Sequence, residues 1–565
     1  MNTEFERLSA KRKELQAIGL LPEWYTTQAY QMFIANYQYE DTFVRGRHET
    51  IAKTLSKHLP TVELQEHYEK VFLDLLWKGK LSPASPILAN CGTDRGLTVS
   101  CSGQFIDDSI DGFYSNLRET AILSKNAFGT SGDFSSVRPR GSAISKGGEA
   151  NGAREVIDDY FTAARKVSQG GNRRGSFAAY IDIEHDDFYE CIEDMQTFSD
   201  GKNYGWIIRE SFIDKLKAGD PEAEKRFNET LHIKLILGKG YYFFIDKANK
   251  HRPQMYKDHG LDIRASNLCT EIMLHSSELL SFSCILSSIN LVHWEEIKHD
   301  NTIFDSIVFL DCVTSDFLAT SKDIPGLEKV RAFTEKGRAI GLGVMGLHTL
   351  MQSLSIPMDS LEGMFLNKEI FQRLKSESDR ATEWLARVLG EPEWCKGYGV
   401  RNTHRTAQAP TKSTALLMGG LSEGINPDPG MVFDAASAVG ELKRIIPEFY
   451  KIMNERGMYT PETIKRIVAN LGSVQQEDWL TDHEKQVFKT AYEMDQKMLF
   501  RNAKGRQPEL CQGQSLNFYT GEEGCEDLIA ELITMCFLDD DILSQYYIYS
   551  RNGVVVNDEC LSCSA

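Results

Sequence analysis

From about residue 81 to residue 540, short apolar or β-branched runs alternate with longer amphipathic stretches and glycine-rich connections, and this alternation constrains the fold more than any other feature of the chain. Trp206 to Arg209, Leu235-Ile236-Leu237 and Tyr241 to Ile245 read as strands, while Asp305 to Ala319 reads as a helix. Strands that alternate with helical stretches feed a parallel sheet, so the expected class is α/β. The preceding segment has a different texture. Residues 1 to about 80 carry apolar positions at helical spacing through Thr50 to His58 and Val62 to Lys78, and Leu81-Ser82-Pro83-Ala84-Ser85-Pro86 breaks that pattern. The chain therefore divides into a small helical N-terminal domain over 1–80, a large α/β domain over 81–550 and a flexible tail over 551–565 with little apolar periodicity. No internal repeat or long low-complexity segment interrupts it. A chain of 565 residues has ample material for one large core with appendages.

Charge and cysteine usage exclude several classes. A net charge of -18 argues against nucleic-acid and anionic-membrane partners. Met1-Asn2-Thr3-Glu4-Phe5-Glu6-Arg7 has no signal-peptide apolar region, and no apolar run of membrane-spanning length follows. Twelve cysteines in 565 residues are too sparse for a disulfide scaffold. A reducing cytoplasm is the expected compartment, which leaves thiols free for chemistry.

Those thiols fall in suggestive company. Ser266-Asn267-Leu268-Cys269-Thr270-Glu271 places an amide, a thiol and a carboxylate at alternate positions, which in extended backbone share one face. Asn267, Cys269 and Glu271 would then offer one small molecule a hydrogen-bonding amide, a sulfur and a general base. A lone buried cysteine is more often a small core residue, but a core cysteine needs neither flanking group. Cys101 and Cys284 are too far apart in sequence for a local metal knuckle. Cys560 and Cys563 form a C-x-x-C near the end of the chain without the second ligand pair that a zinc site requires, so the pattern favours disulfide exchange and no metal site is expected.

In order along the chain, Thr98-Val99-Ser100-Cys101, the Asn267-Cys269-Glu271 segment, Phe282-Ser283-Cys284, Ala409-Pro410-Thr411-Lys412-Ser413-Thr414-Ala415, Tyr546-Tyr547 and Glu559-Cys560-Leu561-Ser562-Cys563 resemble the catalytic large subunit of class I ribonucleotide reductase. The resemblance covers roughly residues 20 to 565. It implies a ten-stranded α/β barrel with the Cys269 segment on a finger loop through its centre. Cys269 would become a thiyl radical that abstracts the ribose 3′-hydrogen, Glu271 would take the 3′-hydroxyl proton, and Asn267 would hold the ribose hydroxyls. Cys101 and Cys284 would supply a proton and two reducing equivalents, and would end as a disulfide. Cys560 and Cys563 would reduce that disulfide and be recharged by thioredoxin or glutaredoxin. Tyr546 and Tyr547 resemble the stacked pair that carries the radical inward from a metal-containing small (beta) subunit, so no tightly bound cofactor is implied on this chain.

Two nucleotide sites follow from the same resemblance. Thr411, Ser413 and Thr414 would clamp the phosphates of a ribonucleotide, expected as a diphosphate, with Ser85 and Ser100 as further contacts; backbone N–H groups at a helix start suit that role. Lys412 departs from the family, which more often has a small residue or Glu there. Asp108, Ser109 and Ile110, with Gln169 and Arg173 on the Ser168-to-Gly175 loop, would bind a dNTP or ATP effector at a homodimer interface. The stretch before Leu81 is too short for both an ATP-cone and the helical lead-in, so a short form without the cone is expected.

Three other readings stay open. An adenosylcobalamin-dependent class II reductase shares the thiol chemistry but has no need of the tyrosine pair. A glycyl-radical enzyme needs a C-terminal glycine loop that Arg551-Asn552-Gly553-Val554 matches poorly. A non-enzymatic nucleotide-binding redox scaffold would not need Glu271 beside Cys269.

Overall fold

The computed structural model describes residues 2–40, 42–126, 128–169, 173–197, 201–437, 440–521 and 525–551. Among them, seven strands form one sheet in the order Ser544–Gln545, Tyr241–Phe244, Asn203–Ile208, Ser176–Asp182, Gly129–Asp133, Cys101–Phe105 and Phe282–Cys284. The five inner strands run parallel, and the two edge strands pair antiparallel. A second sheet places Leu286–Asn290 between Leu81–Pro83 and Gly341–Met345. Ile285 alone separates Phe282–Cys284 from Leu286–Asn290, so one stretch of chain joins the two sheets of the expected ten-stranded α/β barrel.

Successive side chains alternate between the two faces of a strand, and the hydrophobic clusters separate accordingly. Ala178, Tyr180, Ile207, Tyr241 and Phe243 belong to the large central cluster. Their neighbours Phe177, Ala179, Ile181, Tyr204, Trp206, Tyr242 and Phe244 belong to the cluster on the opposite face. Strands buried on both faces read as continuous apolar runs, which is why Tyr241 to Phe244 is entirely apolar or aromatic. Two glycines make room on the inner face. A Cβ at Gly103 would lie 2.1 Å from the Phe282 ring, and one at Gly205 would lie 2.4 Å from the Tyr180 ring.

The N-terminal segment is helical as expected, with helices Asn2–Ala17, Thr27–Asn36, Val44–Ser56 and Val62–Trp77. The last docks on the barrel through Phe72, whose ring meets Phe309 edge-on at 5.2 Å. Phe309 lies within the long buried helix Thr302–Thr320.

One sequence expectation is overturned. Leu235-Ile236-Leu237 is no strand; it is the last turn of the helix Pro221–Leu237. Asp220 caps that helix by accepting from the N–H groups of Glu222 and Ala223, Pro221 opens it, and left-handed Gly238 ends it. A short apolar run does not distinguish a helix end from a strand; the caps on either side do.

Candidate active site

The finger loop is wholly buried, with Cys269 and Glu271 each 1 % exposed and Asn267 at 0 %. Its backbone is a turn, not the extended segment expected from the alternating motif. Thr270 N–H donates to the Asn267 carbonyl at 3.3 Å, and Thr270 takes a left-handed φ of 66°. The turn still brings the amide and the carboxyl together: Asn267 Nδ2 donates to Glu271 Oε1 at 3.0 Å, while Asn267 Oδ1 accepts from Ile272 N–H at 3.2 Å.

Barrel side chains hold the turn by its carbonyls. Ser131 Oγ donates to Ser266 O at 2.8 Å, Tyr180 Oη to Asn267 O at 2.6 Å, Ser515 Oγ to Cys269 O at 2.6 Å and Ser544 Oγ to Thr270 O at 2.8 Å. Gly513 N–H donates to Glu271 O at 2.8 Å. Buried carbonyls left without donors are costly, so these four hydroxyls fix the finger's position.

Register carries this geometry to the other two thiols. Ser131 pairs with Gly103, and the two share a face. Cys101 lies two residues before Gly103 and therefore points to the same side as Ser131, toward the finger. Across the antiparallel edge Cys101 stands opposite Cys284, and both side chains are buried. Cys101 thus converges on one interior with Cys269 and Cys284, which lie more than 160 residues further along the chain.

Burial pushes the Glu271 carboxyl up to about 7, against the opposing pull of its hydrogen bonds from Asn267 and Ser515. Ser515 Oγ lies 3.2 Å from Glu271 Oε2. A carboxyl poised near neutrality can hold or release a proton during turnover.

Tyr546 and Tyr547 lie between the short strands Ser544–Gln545 and Ile548–Ser550, with ring centroids 4.1 Å apart at 53°, tilted and not stacked. Tyr241, read from sequence only as part of a strand, joins them. Its ring lies 4.8 Å from that of Tyr546, and its hydroxyl hydrogen-bonds that of Tyr547 at 2.8 Å. Buried Lys234 donates to the Tyr546 carbonyl at 3.0 Å, and desolvation lowers its pKa well below the usual lysine range. Tyr549 continues the aromatic contacts 5.7 Å from Tyr547, followed by Tyr519 stacked 5.4 Å beyond.

The phosphate-clamp candidates sit nearby. Thr411 adopts a left-handed φ of 57°, and its Oγ1 accepts from Gly424 N–H at 2.7 Å, which stitches the Ala409–Ala415 loop to Gly424-Ile425-Asn426. The helix that follows, Lys412–Leu417, has six residues. It is too short to contribute a full helix dipole, so side chains and loop N–H groups must supply most of any anion binding. Thr414 Oγ1 donates to Thr411 O at 3.2 Å, and Ser413 is partly exposed. Asn517 Nδ2 donates to Asn426 Oδ1 at 3.2 Å and its Oδ1 accepts from Tyr547 N–H at 3.1 Å, linking this loop to the tyrosines. Ser85 Oγ shares a 3.0 Å hydrogen bond with Tyr37 Oη, and Ser100 Oγ is buried without a hydrogen-bond partner among the described residues.

At the effector candidate, Asp108 is held by Arg138 through Nε at 2.8 Å and through the backbone N–H at 3.1 Å. Ser109 caps the helix Ile110–Lys125, and Ile110 is 71 % exposed at its start. Gln169 pairs through its backbone with Arg173 in a two-residue antiparallel ladder. Cys560 and Cys563 lie outside the described residues. Among the described residues, no group of three or more His, Cys, Asp or Glu is placed to hold a metal, and no helix is long and apolar enough to cross a membrane.

Tyr180, Tyr241, Ser131, Ser515, Ser544 and Lys234 escaped sequence reasoning, because their roles depend on partners 60 or more residues away. Strand alternation within Tyr241 to Phe244 gave the one available signal, placing Tyr241 and Phe243 on a common face.

The fold and site define an α/β-barrel enzyme built around a central loop that carries a thiol, an amide and a carboxyl. Residues 99–220, 214–396 and 392–537 match the model of the ribonucleotide reductase barrel domain. The chain is 34% identical over 472 residues to a putative ribonucleoside-diphosphate reductase large subunit of Frog virus 3 (isolate Goorha), covering 79% of this chain and 81% of the viral one. It is 30% identical over 462 residues to a vitamin B12-dependent ribonucleoside-diphosphate reductase of Mycobacterium tuberculosis, covering 75% of this chain and 63% of that one. The alpha subunit of the Actinobacillus ureae class Id ribonucleotide reductase superposes with a TM-score of 0.86 at 36% identity, over 96% of this chain and 99% of that one. The chain belongs to the ribonucleotide reductase family as a large, catalytic subunit, an oxidoreductase of deoxyribonucleotide synthesis.

Proposed function

We propose that this reductase removes the 2′-hydroxyl of a ribonucleoside diphosphate through a thiyl radical on Cys269. Cys269 gives its S–H hydrogen to oxidised Tyr546, which re-forms the phenol, and the thiyl then takes the ribose 3′-hydrogen. Glu271 accepts the 3′-hydroxyl proton while Asn267 holds the ribose hydroxyls. One thiol of the Cys101–Cys284 pair protonates the departing 2′-hydroxyl, which leaves as water. The pair supplies two electrons and closes as a disulfide, Glu271 returns its proton to the 3′-oxygen, and Cys269 returns its hydrogen to C3′. The thiyl this leaves takes back the hydrogen held by Tyr546, which becomes oxidised again. The balance is one ribonucleotide and two thiols giving one deoxyribonucleotide, water and a disulfide. The observation that carries this reading is the convergence of the Cys101–Cys284 register pair and the Cys269 turn on one barrel interior.

The remaining assignments rest on the same family reading. Thr411, Ser413, Thr414, Ser85 and Ser100 hold the phosphates and ribose. Tyr546 and Tyr547 receive the radical from a metal-containing small subunit. Cys560 and Cys563 recharge the site with thioredoxin or glutaredoxin. Asp108, Ser109, Ile110, Gln169 and Arg173 bind a deoxynucleotide effector at a homodimer interface. The enzyme works in the cytoplasm, with residues 1–80, 81–550 and 551–565 as lead-in, barrel and tail.

The test is Cys269→Ser assayed with the partner subunit. The variant should bind CDP as the wild type does and form no dCDP, because an alcohol O–H is much stronger than a thiol S–H. Substantial dCDP would overturn the thiyl assignment. Turnover with adenosylcobalamin and no partner subunit would overturn the class I assignment.

A further inference from the structure

The helical lead-in grips the segment Ser85–Asn90 at both ends. At its start Tyr37, the C-cap residue of helix Thr27–Asn36 and only 3 % exposed, shares the 3.0 Å hydrogen bond with Ser85 Oγ. Toward its end buried Arg47, from helix Val44–Ser56, donates Nε to Leu88 O at 2.7 Å and a terminal N–H to Ile87 O at 3.4 Å. Just beyond, a Cβ at Gly92 would meet Thr54 Oγ1 of the same helix at 2.7 Å, so the segment lies tight against the lead-in. On the barrel side, Ala84 N–H donates to Leu286 O at 3.4 Å, which sets Ser85 close to the strand that follows Cys284. Helix Thr27–Asn36 also packs against helix Lys412–Leu417, with Met32, Phe33, Leu416 and Leu417 in one buried cluster. The lead-in therefore touches both of the segments read as holding the nucleotide.

We infer that Tyr37 is a positioning residue of the substrate site: its phenol donates to Ser85 Oγ and so leaves the single Ser85 proton for a phosphate oxygen of the nucleotide. This rests on the reading of Ser85 as a nucleotide contact. The direction of the bond follows from acidity and from counting protons. A phenol ionises near pH 10, which makes it a stronger acid and a better donor than an aliphatic alcohol. Serine carries one proton and two acceptor lone pairs. A phosphate oxygen only accepts, so on arrival it draws the serine proton, and the serine lone pairs then take the proton of Tyr37. Each bond in such a chain polarises the next. Because the lead-in already holds Ser85 in place, little ordering is left to be done when the nucleotide binds. The phosphates take no part in the chemistry at C2′ and C3′, so the bond acts equally on bound substrate and transition state and is read in KM, with kcat unchanged.

Equilibrium dialysis of CDP against the chain, and CDP turnover by the two-subunit enzyme, test this in wild type, Tyr37→Phe, Ser85→Ala and the double variant. Tyr37→Phe should weaken CDP binding about tenfold, the scale of one hydrogen bond in a chain that ends on a charged group, with KM raised to match and kcat within about twofold of wild type. Ser85→Ala should weaken binding at least as much. The double variant should bind CDP as Ser85→Ala does, because the phenol acts only through the serine. A further tenfold loss in the double variant would show that Tyr37 merely braces the fold, and overturns the inference. Unchanged or tighter binding in Tyr37→Phe would mean that the serine donates to the phenol, and overturns it as well. 4-Aminophenylalanine at position 37 keeps the ring and a donor N–H, and should bind CDP within about twofold of wild type; a folded chain of this kind that binds tenfold more weakly also overturns it. Wild-type CDP affinity in Ser85→Ala would instead overturn the reading of Ser85 itself, a failure that the single serine variant reveals without reference to Tyr37.

Discussion

Cys101 and Cys284 stand directly opposite one another on antiparallel strands, with Ser102↔Ser283 and Gly103↔Phe282 continuing the register. Directly opposed residues hold their Cβ atoms about 4.5–5.5 Å apart, and a disulfide needs about 3.5–4.5 Å. Closing the bond therefore requires only a small approach of two strands already hydrogen-bonded. One turnover of prereduced enzyme should consume two thiols and yield a Cys101–Cys284 crosslinked peptide by mass spectrometry. Either cysteine changed to serine should lower steady-state turnover by about a thousandfold or more, the scale seen when a reacting group is removed. With Cys560 and Cys563 both changed to serine, the prereduced burst should survive and thioredoxin-driven turnover should stop. Unimpaired steady turnover would rule out the tail as the shuttle.

Burial raises the Glu271 carboxyl from its ordinary 4.5 to about 7. As the base, Glu271 must be ionised, so the rate should climb as pH rises through about 7 and then level off. Glu271→Gln should lower it by about 10²–10⁴-fold and flatten that limb. Stability runs the opposite way. The protonated carboxyl's contribution is fully present below 4.5 and is lost as pH rises through about 7, a total of about 3 kcal/mol. The Gln variant should therefore gain on the wild type in denaturant midpoint between pH 5 and 7, with no further gain above about 7.5. A constant difference across that range would mean that Glu271 is not buried as its surroundings indicate.

How much of this was legible in sequence depended on whether partners were near in the chain. Helical spacing pointed to Val62 to Lys78 and to Asp305 to Ala319, and short apolar runs pointed to Trp206 to Arg209 and to Tyr241 to Ile245. The elements formed are Val62–Trp77, Thr302–Thr320, Asn203–Ile208 and Tyr241–Phe244, and they were legible because those signals are local. Asn267 and Glu271 were expected to share one face of an extended segment, where residues i and i+4 lie about 13 Å apart; the turn instead brings them into direct hydrogen-bonding contact. Ser131, Tyr180, Ser515 and Ser544 were illegible, since a lone hydroxyl in an apolar run gives no sign that a carbonyl from a distant loop will arrive beside it. Tyr241 was hidden for the same reason, inside a stretch whose aromatics are explained by strand propensity alone.

The tyrosine cluster separates residues on the proposed relay from a neighbour that adjusts it. Tyr546→Phe or Tyr547→Phe should stop turnover while CDP binding holds, because phenylalanine has no O–H to oxidise. Tyr241→Phe removes the 2.8 Å hydrogen bond to Tyr547 and leaves the 4.8 Å ring contact with Tyr546 in place. It should slow turnover by about tenfold, the worth of one hydrogen bond, without abolishing it. Complete loss in Tyr241→Phe alone would put the radical on Tyr241, and full activity in both Tyr546 and Tyr547 variants would remove the relay.

Ser515 has one hydroxyl proton and two acceptors within reach, the Cys269 carbonyl at 2.6 Å and Glu271 Oε2 at 3.2 Å. While Glu271 is protonated, its acid proton can bond to Ser515 Oγ as the serine donates to the carbonyl. Once Glu271 ionises, the two acceptors compete for the single serine proton. The hydrogen bond from Ser515 favours the ionised carboxyl and partly offsets the effect of burial. Ser515→Ala should therefore shift the rising limb of the pH–rate profile to higher pH and cost about 1–3 kcal/mol of stability, since the Cys269 carbonyl loses its donor. Ser515→Thr keeps a hydroxyl and should bring the limb back toward the wild type. A stable Ser515→Ala enzyme whose limb stays at the wild-type pH would show that this serine only braces the loop and leaves the proton affinity of Glu271 untouched.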